Sequence, residues 1–152
     1  MAACHIACWR EAYQGLVPDH VLAAFDPDRG AAAWARIAHE HSGKTALVAE
    51  HGDEIIGFTG YGLPDELPAP AERELSAMYV RAPWYGTGLA QALMDSVLEL
   101  HLSCYLWVFE RNPRARAFYT KYGFVPDGTA RAERFTTTTE IRMVRPAVEF
   151  RP

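Results

Sequence analysis

No run of about 18 apolar residues occurs in this chain of 152 residues, so no segment has the length a membrane-crossing helix requires. The N-terminus has neither the basic start nor the apolar middle of a secretory signal. Cysteine is scarce: Cys4, Cys8 and Cys104 are odd in number and form no Cys-x-x-Cys pair, the pattern of free thiols in a reducing compartment. The expected location is therefore the cytoplasm. No basic block is present either, and 15 Lys and Arg against 19 Asp and Glu leave a formal charge of -4. A nucleic-acid partner held through its phosphates is disfavoured. His39 and His41 flank Glu40, but a metalloprotease helix needs His-Glu-x-x-His to place both imidazoles on one face, so no metal is expected. A Walker loop would need Gly-Lys-Ser or Gly-Lys-Thr, and neither occurs. What is present is average for a soluble domain, with 49% hydrophobic and 22% charged residues. A single domain of this length buries roughly 70% of its unfolded surface, enough for a core without staples.

Periodicity divides the chain. Ile6, Trp9, Tyr13 and Leu16 recur at helical spacing, as do Trp34, Ile37, Ala38 and His41, so the first 43 residues read as helices broken at Pro18-Asp19 and Asp26-Pro27-Asp28. Thr45 to Glu50 and Ile55 to Tyr61 read as a hairpin around His51-Gly52-Asp53-Glu54, and Leu63 to Ala71, with three prolines, reads as a loop. Arg73 to Val80 alternates, with Leu75, Ala77 and Tyr79 on one face and Glu74, Ser76, Met78 and Val80 on the other. Leu89, Leu93, Val97 and Leu100 predict a helix ending near His101, whose charge would suit that terminus. Ser103 to Phe109 is a buried strand. Asn112 as N-cap, Pro113 at the first position and Gly123 just past the end bracket a short helix. Arg131 to Phe135 and Glu140 to Arg145 read as a closing strand pair.

The chemistry concentrates at Gly86-Thr87-Gly88, between a strand and a helix, where glycines let backbone approach an anion and free helix amides face it. A dinucleotide fingerprint would need a third glycine where Gln91 stands. Tyr79-Val80-Arg81-Ala82-Pro83-Trp84-Tyr85-Gly86-Thr87-Gly88-Leu89-Ala90 instead resembles the acetyl-CoA motif of the GNAT family of N-acetyltransferases, whose core is Gln/Arg-x-x-Gly-x-Gly/Ala. Leu106-Trp107-Val108 followed by Asn112, Ala115, Phe118-Tyr119 and Gly123-Phe124 is similar to that family's second motif, and Glu74-Leu75 sits where many members carry an acidic residue. The resemblance spans roughly residues 9 to 145. It implies an α/β domain with a mixed, mostly antiparallel sheet flanked by helices and splayed where the cofactor lies.

Two departures stand out. Tyr85 occupies the position usually held by Gln or Arg, so side-chain help with the pyrophosphate is lost while the amides remain. Members also usually have a strand before the first helix, and here the helical pattern begins almost at Met1. Either the sequence is truncated or the sheet has lost its first strand; in the second case the edge near Thr45 to Glu50 would be uncovered, and a homodimer is one way to cover it. The resemblance implies acetyl-CoA as co-substrate, with pyrophosphate on the amides of Gly86, Thr87, Gly88, Leu89 and Ala90. It further implies pantetheine amides paired with the backbone of Met78 and Val80, and Asn112 bonded to the cofactor arm.

The reaction fits these residues. An ammonium acceptor must lose a proton before it attacks a thioester, and Glu74, the only acidic residue inside the central strand, can take it. Tyr119 is by resemblance the hydroxyl that serves the leaving thiolate. The expected function is acetyl transfer to a primary amine of a small molecule or peptide by direct attack. The alternatives are a CoA-binding regulatory domain without catalysis and an acetyltransferase acting on aminoacyl-tRNA. Trp9, Tyr13, Trp34 and Trp84 are candidates to shape the acceptor pocket, but large aromatics are more often core, so they stay outside the catalytic set.

Overall fold

A computed structural model of the chain describes residues 1–40, 43–133 and 136–148, with residues 37–40 described by backbone alone. The chain forms α1 (Ala2–Ala12), α2 (Asp19–Ala23), α3 (Pro27–Glu40), β1 (Lys44–His51), β2 (Glu54–Gly62), β3 (Arg73–Val80), a 3-10 turn (Ala82–Trp84), α4 (Leu89–Val97), β4 (Cys104–Phe109), α5 (Pro113–Lys121), β5 (Val125–Ala132) and β6 (Thr139–Arg145). Among the described residues the strands follow the order β1-β2-β3-β4-β6-β5. β3 and β4 are parallel, whereas β6 is antiparallel to both β4 and β5. This is the expected mixed sheet with helices. The contacts group into two compact units, Met1–Tyr61 with Ala77–Val97, and Gly62–Ser76 with Leu98–Pro152.

In the first unit the Asp26-Pro27-Asp28 break is a helix start. The Asp26 carboxylate accepts the N–H groups of Asp28 and Arg29, both at 2.9 Å, and Pro27 takes the first helical position, where no N–H is needed. The core gathers Cys4 and Cys8 of α1 with Phe58 of β2, against Trp34 and Tyr79. Trp9 donates its indole N–H to the Tyr79 hydroxyl at 3.1 Å. Trp9 is thus a buried core residue, and Trp34 is a half-buried one packed against the cluster. Ile37 and Ala38 lie where only backbone is described, as do the side chains of His39 and Glu40, and His41 lies outside the described residues.

His5 was not singled out by the sequence, yet it sits at the centre of this cluster. Its ring lies edge-on to Trp9, Trp34, Phe58 and Tyr79, with centroids 4.8–5.9 Å apart. Burial pushes its pKa down to about 4, because the imidazolium would lose its water among aromatic faces. The unfolded chain therefore binds this proton more tightly than the folded one. Folding stability should be complete above an ordinary histidine pKa of about 6.5 and fall as pH drops towards 4, by about 3 kcal/mol in all. Urea midpoints measured across that range should flatten in His5→Phe, and an equal slope in parent and variant would refute the assignment.

In the second unit β4 is buried almost along its length, consistent with a strand between two neighbours. The α5 brackets are as expected: Asn112 Oδ1 accepts the Ala115 N–H at 3.1 Å, Pro113 follows, and Gly123 has φ 85°. Two expected boundaries are corrected. α4 stops at Val97, not near His101, because the carbonyls of Glu99, Leu100 and Leu102 turn to the buried guanidinium of Arg145, which donates to Leu100 at 2.8 Å. His101 accordingly lies beyond the helix, exposed and 3.9 Å from Glu99. β5 begins at Val125, six residues before Arg131, because a register shift between Pro126 and Ala130 absorbs the turn-like Pro-Asp-Gly. Phe135 lies outside the described residues.

Candidate active site

The glycine turn belongs to the first unit and is held from both sides. The Arg81 N–H donates to the Ile56 carbonyl at 2.9 Å as β3 ends. The Arg81 guanidinium donates to Glu11 Oε1 at 2.9 Å, and Glu11 Oε2 accepts the Ala82 N–H at 2.7 Å. One carboxylate of α1 thereby fixes the start of the turn. The Thr87 hydroxyl then donates to the Trp84 carbonyl at 2.8 Å, and Trp84 is braced by the His51 ring at 4.9 Å.

Gly86 and Gly88 have φ of 76° and 91°, values that side-chain-bearing residues adopt only at a cost. A Cβ on either would meet nothing within 4 Å, so the constraint on these positions is backbone conformation and not crowding by the protein. The first α4 bond runs from the Ala92 N–H to the Gly88 carbonyl at 3.0 Å. The amides of Leu89, Ala90 and Gln91 precede it and have no acceptor within the helix. Gln91, which sequence reasoning left out, is therefore one of the amides that open the helix. Tyr85 is exposed beside them. Upstream on β3, Met78 is half-buried and Val80 is buried.

The remaining expected residues lie in the second unit. Glu74 is buried on β3, and its Oε2 accepts the Asp65 N–H at 3.1 Å. It faces Tyr105 across the parallel ladder. Asn112 is buried and uses Oδ1 for its cap, which leaves its amide NH2 as the group with which to reach a ligand. Tyr119, also buried, lies edge-on to Phe118 and Phe124, at 5.5 and 6.1 Å.

Glu66 was not foreseen. Its carboxylate accepts the Trp107 indole N–H and, at 2.9 Å, an Arg142 N–H. Arg142 also donates to Asp127 at 2.7 Å, and the Arg131 guanidinium covers the Trp107 ring at 4.0 Å. The proline-rich loop before Glu74 is therefore fastened to β4 and β6. No local pattern signals this, because the partners are 41 and 76 residues away in the chain. The same holds for Glu11, 70 residues from Arg81. Among the described residues no three His, Cys, Asp or Glu side chains gather as a metal site would require, and no helix is long and apolar enough to cross a membrane.

A mixed sheet flanked by helices, with α4 opened by two left-handed glycines, matches the GNAT fold. The model of the Acetyltransferase (GNAT) family matches residues 8–124, and the chain belongs to that family. It is similar to a probable N-acetyltransferase of Mycobacterium tuberculosis, 31% identical over 134 residues that cover 84% of this chain and 74% of that protein. Its fold is similar to that of the PaiA N-acetyltransferase of Thermoplasma acidophilum, solved in complex with coenzyme A, at a TM-score of 0.65 and 16% identity over 95% of this chain and 91% of that one. It is also similar to a ribosomal-protein-alanine N-acetyltransferase of Brucella melitensis, at a TM-score of 0.67 and 17% identity over 95% and 93% of the two chains.

Proposed function

We propose that this protein transfers the acetyl group of acetyl-CoA to a primary amine of a small molecule or peptide by direct attack. The observation that carries the reading is the Gly86–Ala90 turn, with two left-handed glycines, first-turn helix amides that have no acceptor within the helix, and open space above both glycines. A pyrophosphate fits such a turn because its charge is met by N–H groups already aligned, and family membership makes CoA the expected bearer. When bound, acetyl-CoA supplies the thioester to be attacked and the thiolate to be expelled.

The chain's own residues do the rest. The amides of Gly86, Thr87, Gly88, Leu89 and Ala90, with Gln91, hold the pyrophosphate, and Glu11 keeps their turn in place. The backbone of Met78 and Val80 pairs with the pantetheine amides as an added strand would, and the Asn112 amide steadies the cofactor arm. Glu74 takes a proton from the ammonium group, and the Tyr119 hydroxyl delivers one to the departing sulfur.

The test is thiol release from acetyl-CoA in the presence of a panel of primary amines, read against the same reaction without amine. Amine-dependent release is expected, and its absence over the whole panel would overturn the reading in favour of a CoA-binding regulatory domain. In a parallel arm, Gly88→Ala should weaken CoA binding about tenfold in calorimetry, since an L residue pays roughly 1–2 kcal/mol to adopt the left-handed conformation. Unchanged affinity would remove the turn from the binding site.

A further inference from the structure

Tyr105 carries a deeply buried hydroxyl that the proposed reaction leaves unused. It is fully buried in β4, and among the described residues its hydroxyl makes no hydrogen bond of full geometry, with the Glu74 side chain and the Glu66 backbone as its hydrogen-bonding neighbours. A phenol placed so gives up the bond it makes to water in the unfolded chain, a loss that phenylalanine of the same shape would not suffer. A core that needed only an aromatic ring at this position would be better served by phenylalanine, so the hydroxyl calls for a use.

Its surroundings point to one. Tyr105 is the ladder partner of Glu74, and residues paired across a ladder project from the same face of the sheet. The Glu74 carboxylate already takes one donor, the Asp65 N–H, from the loop. Burial of a carboxylate favours its neutral form, so a base in this position needs donors to stay ionised. The other titratable groups near the pair have states or partners of their own. Cys104, next to Tyr105 on β4, is a buried thiol pushed up to about 12 and is neutral. Glu66 of the loop is matched by Arg142 of β6, and Arg73 beside Glu74 pairs with Glu99. Burial, then the charges of Glu74 and Glu66, push the ionisation of Tyr105 upward, so the phenol keeps its proton and remains a donor.

We propose that Tyr105 is a positioning residue for the Glu74 base: its O–H turns onto the Glu74 carboxylate and holds it ionised and aimed at the incoming ammonium group. In the transfer step the ammonium proton moves to Glu74, the amine nitrogen keeps the freed lone pair, and Tyr105 retains its own proton throughout. The inference rests on the reading of Glu74 as the base.

The test follows the Glu74 carboxyl carbon by 13C NMR through a pH titration of the full chain, in the parent and in Tyr105→Phe, without acceptor or cofactor. Phenylalanine keeps the ring of Tyr105 in its place, so the variant should fold, which its unfolding transition checks. Its Glu74 titration should move up by about one pH unit, a tenfold change in proton affinity. Replacing Tyr105 by 3-fluorotyrosine, a stronger donor, should move it down, which keeps the test open if the phenylalanine variant folds poorly. With an amine found active in the panel, the acidic limb of kcat/KM should shift with the carboxyl titration while CoA affinity stays unchanged. Superimposable Glu74 titrations in the parent and both variants would overturn the inference. An inactive parent would instead refute the acetyl-transfer reading, and the NMR arm would still report on the hold of Tyr105 on Glu74.

Discussion

Glu74→Gln should lower kcat/KM at neutral pH by about 10²- to 10⁴-fold, the usual contribution of a positioned acid or base. The loss should then shrink as pH rises. An alkyl amine resembles a lysine side chain, with a pKa of about 10.4, so only a small fraction is free base at pH 7 and that fraction grows about tenfold with each pH unit. The parent binds the ammonium form and removes its proton in the site, so its profile should be flat once the base is ionised. The variant must wait for amine that has lost its proton in solution, so its profile should climb and approach the parent's in mildly alkaline buffer. Glutamine preserves the shape of the buried side chain, and its carbonyl oxygen can still accept the Asp65 N–H that Glu74 Oε2 takes at 3.1 Å. The loop before β3 should therefore stay in place and CoA affinity should hold. Parallel profiles for parent and variant would exclude Glu74 as the base.

What the sequence made legible was whatever local chemistry determines. Gly86 and Gly88 could be read because a tight strand-to-helix passage needs positive φ, and both have it. Asn112, Pro113 and Gly123 could be read because a short helix needs a side-chain acceptor at one end and a left-handed residue at the other. Boundaries set by distant partners were not legible. α4 has apolar periodicity out to Leu100, but the carbonyls beyond Val97 are claimed by Arg145 from another strand. β5 starts within a Pro-Asp-Gly stretch that on its own means a turn, and only the register against β6 makes it a strand.

The site divides in the same way. The residues proposed to touch cofactor or reacting atoms, Gln91 apart, stand in motifs that the sequence shows. The residues that hold those in place, Glu11 for the glycine turn and Glu66 for the loop before Glu74, act across 41 to 76 positions and leave no spacing to detect. His5 belongs with them. A histidine on an amphipathic helix reads as a surface residue until four aromatic rings are found around it.

Tyr119→Phe should lower kcat by about 10²-fold, at the low end for an acid catalyst because a thiolate is a fair leaving group even without a proton. The pH signature separates it from Glu74→Gln. The phenol acts after the amine has attacked, so its loss does not depend on how the amine was deprotonated. The deficit should stay constant as pH rises, giving a profile displaced from the parent's and parallel to it. The ring is packed between Phe118 and Phe124, and phenylalanine keeps those edge contacts, so a loss of activity with an unchanged unfolding midpoint would be chemical in origin. CoA affinity should also be unchanged, because the pyrophosphate is assigned to the amides that open α4. A kcat within twofold of the parent across the range would return Tyr119 to the core and leave the thiolate to depart unaided.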